Sequence, residues 1–173
     1  VDEVCFAIKE MQVRGAPLIG VTAAYGMYIA ARENIDLKKA SDQINATRPT
    51  AVNLSWALNK IMTSIEDMNK DHLPNKILEL ANQIRQEDIN NCKNIGEYGY
   101  KLIKEVYEKN NKPVNILTHC NAGWLATVDW GTALAPIYKA HRQGLNIHVW
   151  VDETRPRNQG AKLTSYELGE EGV

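Results

Sequence analysis

The sequence lacks the features that commit a chain to a membrane, to secretion or to nucleic acid. Its apolar runs all fall short of the roughly 20 residues that a bilayer-spanning helix needs. Its first residues lack the basic segment and apolar stretch of a secretion signal. A formal net charge of −1 provides no broad positive surface for nucleic acid or anionic lipid. We therefore expect a cytoplasmic protein with neither a nucleic-acid nor a membrane partner.

Cysteine and histidine are too scattered for a disulfide framework or a zinc site. The cysteines are odd in number and form no CxxC pair, and they stand at Cys5, Cys92 and Cys120. The four histidines lack the spacing that zinc ligands typically show. These absences predict a reduced protein without a metal site, and we expect no cofactor.

Apolar residues at helical spacing dominate the first 110 residues. Gly15 and Pro17 separate the first two helical segments, and Pro49 separates the third from the fourth. The pattern predicts a helical N-terminal domain over residues 1–112, with helices at 1–11, 18–32, 36–46, 51–68, 74–90 and 95–108.

After Pro113 the pattern changes to strand, helix, strand, helix. The two predicted strands, VNILTHC and NIHVWVDE, are almost continuously apolar, which is typical of parallel strands covered on both faces. Two strands alone do not make a stable doubly wound sheet. We therefore predict an α + α/β chain in which residues 113–173 begin a Rossmann-like parallel domain, and we expect the chain to be truncated.

The most informative segment for chemistry is the strand-to-helix junction at 118–123. Ligands of open α/β sheets collect at the carboxyl ends of the strands. A helix beginning there would offer unpaired N–H groups and favour the thiolate of Cys120. A free cysteine is more often a small buried apolar residue, so the local pattern leaves both interpretations of Cys120 open. Cys5 and Cys92 lie on predicted helical faces and are interpreted as packing residues.

Two arginines, Arg14 in VRGAP and Arg48 in TRPTAVNL, each precede a predicted helix start. A guanidinium group beside free backbone N–H groups suits a phosphate. For either arginine taken alone, a bridge between neighbouring helices is the simpler interpretation. The polar loop DETRPRNQGAKLT follows the second strand, and such loops either line α/β sites or are solvated connections.

Taken together, these segments closely resemble the methylthioribose-1-phosphate isomerase family. The matching stretches follow the family's order and spacing over nearly the whole chain: MQVRGAPLIG, TRPTAVNLSWAL, ILTHCNAGWLAT with GTAL, and HVWVDETRPRNQGAKLTSYEL. DETRP and QG alone mark a wider superfamily. It includes ribose-1,5-bisphosphate isomerases and regulatory subunits of the translation-initiation guanine-nucleotide exchange factor. The combination of VRGAP, RPTAVNL and THCNAG indicates the methylthioribose branch.

The resemblance implies an aldose–ketose isomerase, which is an intramolecular oxidoreductase. It would convert 5-methylthioribose 1-phosphate into 5-methylthioribulose 1-phosphate in methionine salvage, a route of amino-acid biosynthesis, as a homodimer. It also implies a catalytic role for Cys120 and substrate contacts at Arg14, Gly15, Ala16, Arg48 and Gln159. The family's second catalytic residue, an Asp, and a substrate-contacting Asn-Lys pair lie in motifs that this sequence does not contain. We therefore expect the 173-residue chain by itself to be an incomplete catalyst.

Other interpretations share the fold. The substrate could be 5-deoxyribose 1-phosphate, since losing a small apolar substituent changes discrimination by only about 1–3 kcal/mol. It could also be ribose 1,5-bisphosphate. A non-enzymatic alternative is a regulatory subunit of the exchange-factor kind. A nucleotide-binding Rossmann domain is disfavoured because no GxGxxG follows the first predicted strand.

Overall fold

The computed structural model describes residues 1–110 and 112–173, so Asn111 of the expected turn before Pro113 lies outside the described residues. The helices and strands are α1 Asp2–Lys9, α2 Ala16–Arg32, α3 Leu37–Ala46, α4 Val52–Ser64, α5 Leu73–Asn110, β1 Val114–His119, α6 Ala135–Arg142, β2 Ile147–Asp152 and α7 Ser165–Glu171. Short 3₁₀ turns lie at Lys70–His72 and Trp124–Ala126, and a π-helical turn lies at Gly160–Thr164. The described residues form two compact units, Val1–Glu87 and Asp88–Val173.

The first unit is built around α2, whose small side chains allow its neighbours to approach closely. Ala23, Ala24 and Ala30 of α2 are fully buried, and α1, α3 and α4 all contact this helix. At Gly20 a Cβ atom would lie 2.9 Å from the backbone oxygen of Asn53, so only glycine allows this approach of α4. The apolar, small-residue segment predicted from the sequence is therefore the centre of this unit.

The helix starts follow ordinary capping chemistry. Asp36 lies at the N-cap of α3, where its Oδ1 accepts a hydrogen bond of 2.8 Å from the backbone N–H of Lys39. Gly15 lies at the N-cap of α2 with a φ of 84°, a conformation that glycine adopts without strain. Pro17 stands in the first turn of α2, where its missing N–H costs no hydrogen bond.

The expected break between residues 90 and 95 is wrong, because α5 runs without interruption from Leu73 to Asn110. The polar residues around Cys92 are exposed, whereas Cys92 itself is buried, so they form the solvent-facing side of a continuous helix. Gly96 and Gly99 remain helical because α6 packs directly on them. A Cβ atom at Gly96 would lie 2.7 Å from the side chain of Lys139.

The second unit contains a two-stranded parallel sheet, with register running from Val114 opposite Ile147 to His119 opposite Asp152. One face packs on a buried cluster of α6 and α7 residues with its flanking segment, namely Leu134, Ile137, Tyr138 and Leu168. The predicted order of strand, helix, strand, helix is confirmed, and the chain is mostly helical with a small parallel sheet. The prediction that both faces of the sheet are covered is wrong for the described residues. On the face opposite the buried cluster, Leu117 and Trp150 are 70% and 56% exposed.

The compact units divide within α5, whereas the sequence suggested a domain boundary after residue 112. The second part of α5 belongs to the same unit as the α/β segment, to which a hydrogen bond connects it. Oδ2 of Asp88 accepts this bond, of 2.8 Å, from the N–H of Val128. The predicted boundary after residue 112 is a boundary between folding domains. The division into compact units does not test it, so it stays a prediction. Among the described helices, none is both long and apolar enough to cross a bilayer.

Candidate active site

Cys120 lies directly after β1, at the carboxyl edge of the parallel sheet. It is half-buried, carries a free thiol and has a φ of +62°, in the left-handed region. For a residue other than glycine this conformation costs about 1–2 kcal/mol, so the surrounding structure must hold it. The expected position at the carboxyl end of the strand is confirmed.

The expected helix start beside Cys120 is wrong, because α6 begins only at Ala135. Gly123 and Gly131 instead close a tight loop after Cys120. Gly131 has a φ of +78°, and a Cβ atom there would lie 2.5 Å from the backbone of Gly123. The carbonyl of Ala122 accepts a hydrogen bond of 2.8 Å from the N–H of Thr132. This loop supplies no helix dipole at the thiol.

A buried carboxylate, Glu167, lies beneath this loop and is fully excluded from solvent. The amide of Asn121 donates a hydrogen bond of 2.6 Å to its Oε1, and the hydroxyl of Tyr138 donates one of 2.9 Å to its Oε2. Burial and the adjacent Glu167 charge raise the pKa of Tyr138. Tyr138 therefore remains a protonated donor to the carboxylate.

Thr164 links this carboxylate to Cys120. Its hydroxyl accepts a hydrogen bond of 3.2 Å from the amide of Asn121 and donates one of 2.6 Å to the carbonyl oxygen of Cys120. We call Glu167, Asn121 and Thr164 the buried polar chain. Sequence reasoning missed it because glutamate in SYELGEEG is typical of an exposed helix surface. The available signal was spacing, since Thr164, Glu167 and Leu168 share one helical face.

The carboxylate of Glu153 holds the DETRP loop at the end of β2 through hydrogen bonds from the loop's backbone. Oε1 of Glu153 accepts from the N–H of Thr154 at 2.6 Å, and its Oε2 accepts from the N–H of Ala161 at 3.1 Å. Gly160 contacts the backbone oxygen of Asp152 so closely that no Cβ atom would fit. Glu153 therefore fixes the start of the π-helical turn that carries Thr164.

Gln159 immediately precedes Gly160, which packs against the backbone oxygen of Asp152 at the end of β2, so Gln159 lies near the carboxyl edge of the sheet that carries Cys120. Its Oε1 atom is buried and has no hydrogen-bond partner within residues 1–110 and 112–173. A buried acceptor without a donor costs about 1–3 kcal/mol, which a hydroxyl donor from a bound molecule would offset.

His119 and Asp152 form a further contact at this edge that the sequence did not reveal. Nδ1 of His119 lies 2.6 Å from Oδ1 of Asp152, and the register places the two residues opposite each other. Both side chains are exposed, and such pairs typically contribute at most about 1 kcal/mol. The pair ties the ends of the two strands together next to Cys120.

The remaining predicted site residues lie in the first unit. Arg14, Gly15 and Ala16 lead into α2, and Arg48 lies in the turn before α4, where its carbonyl accepts from the N–H of Ala51 at 2.9 Å. The first N–H groups of any helix lack partners within that helix. Gly20, about one turn into α2, lies against Asn53, the second residue of α4, so the two helix starts are neighbours. The predicted placement of each arginine before a helix is confirmed.

A family model described as the initiation factor 2 subunit family matches residues 12–173. The chain belongs to the initiation factor 2 subunit family. Within this family, similar curated proteins are named methylthioribose-1-phosphate isomerase. The protein from Methylorubrum extorquens is 53% identical over 175 residues, covering 99% of this chain and 48% of the relative. That from Methylocella silvestris is 54% identical over 178 residues, covering 100% of this chain and 49% of the relative. The chain spans about half the length of the curated relatives it matches.

Solved structures of the family share this fold. The crystal structure of 5-methylthioribose 1-phosphate isomerase from Pyrococcus horikoshii OT3 matches with a TM-score of 0.85 and 38% identity, over 99% of this chain and 49% of that chain. The crystal structure of translation initiation factor eIF-2B, subunit delta, from A. fulgidus matches with a TM-score of 0.81 and 39% identity, over 99% of this chain and 52% of that chain.

Proposed function

We propose that this chain is part of an aldose–ketose isomerase that converts 5-methylthioribose 1-phosphate into 5-methylthioribulose 1-phosphate in methionine salvage. The observation that carries the proposal is the half-buried free thiol of Cys120, held in a left-handed turn at the carboxyl edge of the sheet. It stands in a chain more than half identical to proteins named for this reaction. In this proposal Cys120 is the catalytic residue.

The substrate-binding roles follow from residue chemistry. Arg14 and Arg48 bind the phosphate together with the backbone N–H groups of Gly15 and Ala16. Support comes from the two neighbouring helix starts, where partial positive charge and free N–H groups favour an anion. Gln159 orients a sugar hydroxyl, supported by its buried Oε1 atom that lacks a donor within the described residues.

The reaction begins with opening of the sugar ring. The phosphate on the anomeric oxygen prevents opening as a free hemiacetal, so a general acid must protonate the ring oxygen as its bond to C1 breaks. The resemblance assigns this role to an Asp in a motif outside this sequence, and none of the chain's own aspartates is assigned to it.

Hydrogen then moves from C2 to C1. In the proton route, the Cys120 thiolate removes the C2 proton, the C–H electron pair forms the C1–C2 double bond of an enol phosphate, and the thiol returns the proton to C1. The C2 hydroxyl loses its proton and becomes the ketone. In the hydride route, hydrogen and its electron pair pass directly from C2 to C1, which ring opening has left as an electron-deficient oxocarbenium carbon, and the C2 hydroxyl loses its proton to become the ketone. Deuterium placed at C2 and fully retained at C1 in ordinary water would favour the hydride route and count against the base role of Cys120.

The test is turnover by the full-length protein of three sugar phosphates, followed by phosphorus NMR. We expect kcat/KM on 5-methylthioribose 1-phosphate to exceed that on 5-deoxyribose 1-phosphate by roughly 10- to 200-fold, as expected for one small apolar substituent. Ribose 1,5-bisphosphate adds a second charged phosphate and should be the poorest of the three. Higher efficiency on either alternative would reassign the substrate, and no turnover of all three would refute the isomerase.

A second candidate is a non-catalytic regulatory subunit of the translation-initiation exchange factor. It is favoured by the structural likeness to the A. fulgidus subunit delta. The free thiol in its constrained turn argues against it, because an assembly surface requires no such group. Tight binding of an initiation factor by a full-length protein that turns over no sugar phosphate would reverse the ranking.

Four broader features belong to the same proposal. The two strands form part of a Rossmann-like sheet, residues 1–112 and 113–173 are separate folding domains, the protein is a homodimer, and it works in the cytoplasm. The parallel pairing of β1 and β2 supports the first feature. Light scattering of the full-length protein tests the homodimer, and a monomeric mass would refute it.

A further inference from the structure

We propose that Glu167 is a positioning residue for Cys120, acting through Asn121 and Thr164. This inference rests on the proposed role of Cys120. Glu167 does not touch the thiol; it fixes the buried polar chain that ends at the carbonyl oxygen of Cys120.

The direction of every hydrogen bond in the chain follows from the carboxylate. Both carboxylate oxygens of Glu167 accept, one from Tyr138 and one from Asn121, so the Asn121 group facing it is the amide NH₂. The second hydrogen of that NH₂ is donated to the oxygen of Thr164. Because the oxygen of Thr164 accepts from Asn121, its hydroxyl hydrogen points away from Asn121. It is donated to the carbonyl of Cys120 at 2.6 Å. One carboxylate thereby orients a donor at Cys120.

Cys120 needs such a restraint. Its φ of +62° is unfavourable for a residue with a Cβ atom, and a bond to its carbonyl fixes the peptide plane that follows it. Burying Glu167 completely is costly, and an apolar residue beside Leu168 would avoid that cost. A positioning role at the neighbouring thiol accounts for a carboxylate at this place.

The first test exchanges the acceptor and the donor of the hydrogen bond between Glu167 and Asn121, in the double variant Asn121→Asp with Glu167→Gln. The introduced glutamine donates to the introduced aspartate and still accepts from Tyr138, so charge and hydrogen-bond number in this pair are preserved. However, the introduced aspartate presents a carboxylate oxygen to Thr164, whose hydroxyl turns to this stronger, ionised acceptor and leaves the carbonyl of Cys120. The variant therefore keeps the pair and loses the link to the thiol.

The measurement is the rate of iodoacetamide alkylation at Cys120 against pH, resolved by peptide mass spectrometry in the full-length protein. Cys92 serves as the internal reference, because burial and the Asp88 charge raise its pKa to about 11. We expect the alkylation rate of Cys120 in the exchanged variant to differ about tenfold from the wild-type rate, or its pH midpoint to move by about one pH unit, the scale of one lost hydrogen bond. Cys92 should react as slowly as in the wild type. An unchanged Cys120 profile in the folded variant would overturn the inference.

A second, milder pair decides the question if the exchanged variant does not fold. Thr164→Val preserves the buried shape and removes the donor to Cys120, whereas Thr164→Ser retains the hydroxyl. We expect altered Cys120 alkylation, with kcat reduced more than KM is changed, in the Val variant alone. Equal profiles for the two variants would refute the inference. Because alkylation needs no substrate, a protein without isomerase activity could still support the positioning role, and failure of either claim is recognised separately.

Discussion

Replacing Gly123 by Ala tests the buried polar chain without disturbing the backbone. Gly123 has a φ of −95° and a ψ of −160°, which alanine adopts readily, so backbone strain does not contribute. The added Cβ atom would instead overlap the carboxylate of Glu167 and lie 2.7 Å from the hydroxyl of Tyr138. Space for one methyl group is the only thing that changes.

The magnitude follows from what Glu167 would lose. The carboxylate must move away from the donors of Asn121 and Tyr138, and each hydrogen bond to a charged group contributes about 1.5–3 kcal/mol. We therefore expect Gly123→Ala to lower the free energy of unfolding by about 3–6 kcal/mol. That is a large share of the roughly 5–15 kcal/mol typical of a domain.

The assay is urea unfolding followed by tryptophan fluorescence, since Trp124 and Trp130 lie in the same unit. Gly169→Ala is the matched control. Gly169 lies in α7 with nothing within 4 Å of an added Cβ atom, so this change should stabilise the protein by about 0.5–1 kcal/mol. If Gly123→Ala is no more destabilising than Gly169→Ala, the close packing of the loop on Glu167 is refuted.

Two further predictions concern residues outside the candidate site. The pKa of Cys92 is raised to about 11, first by burial and then by the charge of Asp88. Because the unfolded thiol loses its proton first, wild-type stability should fall between about pH 9 and pH 11 by at most about 3 kcal/mol more than that of Cys92→Ala. Urea unfolding across this pH range measures it, and parallel curves would contradict it. Asp36→Ala should cost about 1 kcal/mol by removing the N-cap of α3, and Asp36→Ser should restore most of it; equal thermal midpoints for the two variants would oppose the capping role.

The helices and the edge carrying Cys120 could be predicted because each has a local cause. Periodicity of apolar residues determines which helix faces are buried, and Gly15 with Pro17 marks the start of α2. The carboxyl edge of a parallel sheet follows from strand order alone, which placed Cys120 correctly. The site arginines were likewise placed before helices by sequence neighbours.

What could not be predicted depends on contacts between residues far apart in the sequence. The unbroken course of α5 depends on α6, since Gly99 remains helical where Pro136 packs on it. The loop in place of a helix start after Cys120 depends on Gly123 and Gly131, which pack against each other. Helical spacing places Glu167 on the same face as Thr164 and Leu168, unlike its exposed neighbour Glu170. The donors that allow a carboxylate to be buried there, Asn121 and Tyr138, are distant in sequence and no local pattern reveals them.

The most direct measurement of the central claim is kcat on 5-methylthioribose 1-phosphate for Cys120→Ser and Cys5→Ser in the full-length protein. Both replace a partly buried free thiol by a hydroxyl, and only Cys120 lies at the carboxyl edge of the sheet. We expect Cys120→Ser to lower kcat by roughly 10²–10⁴-fold, the usual contribution of a positioned general base, and Cys5→Ser to leave it unchanged. Full activity in Cys120→Ser would contradict the account.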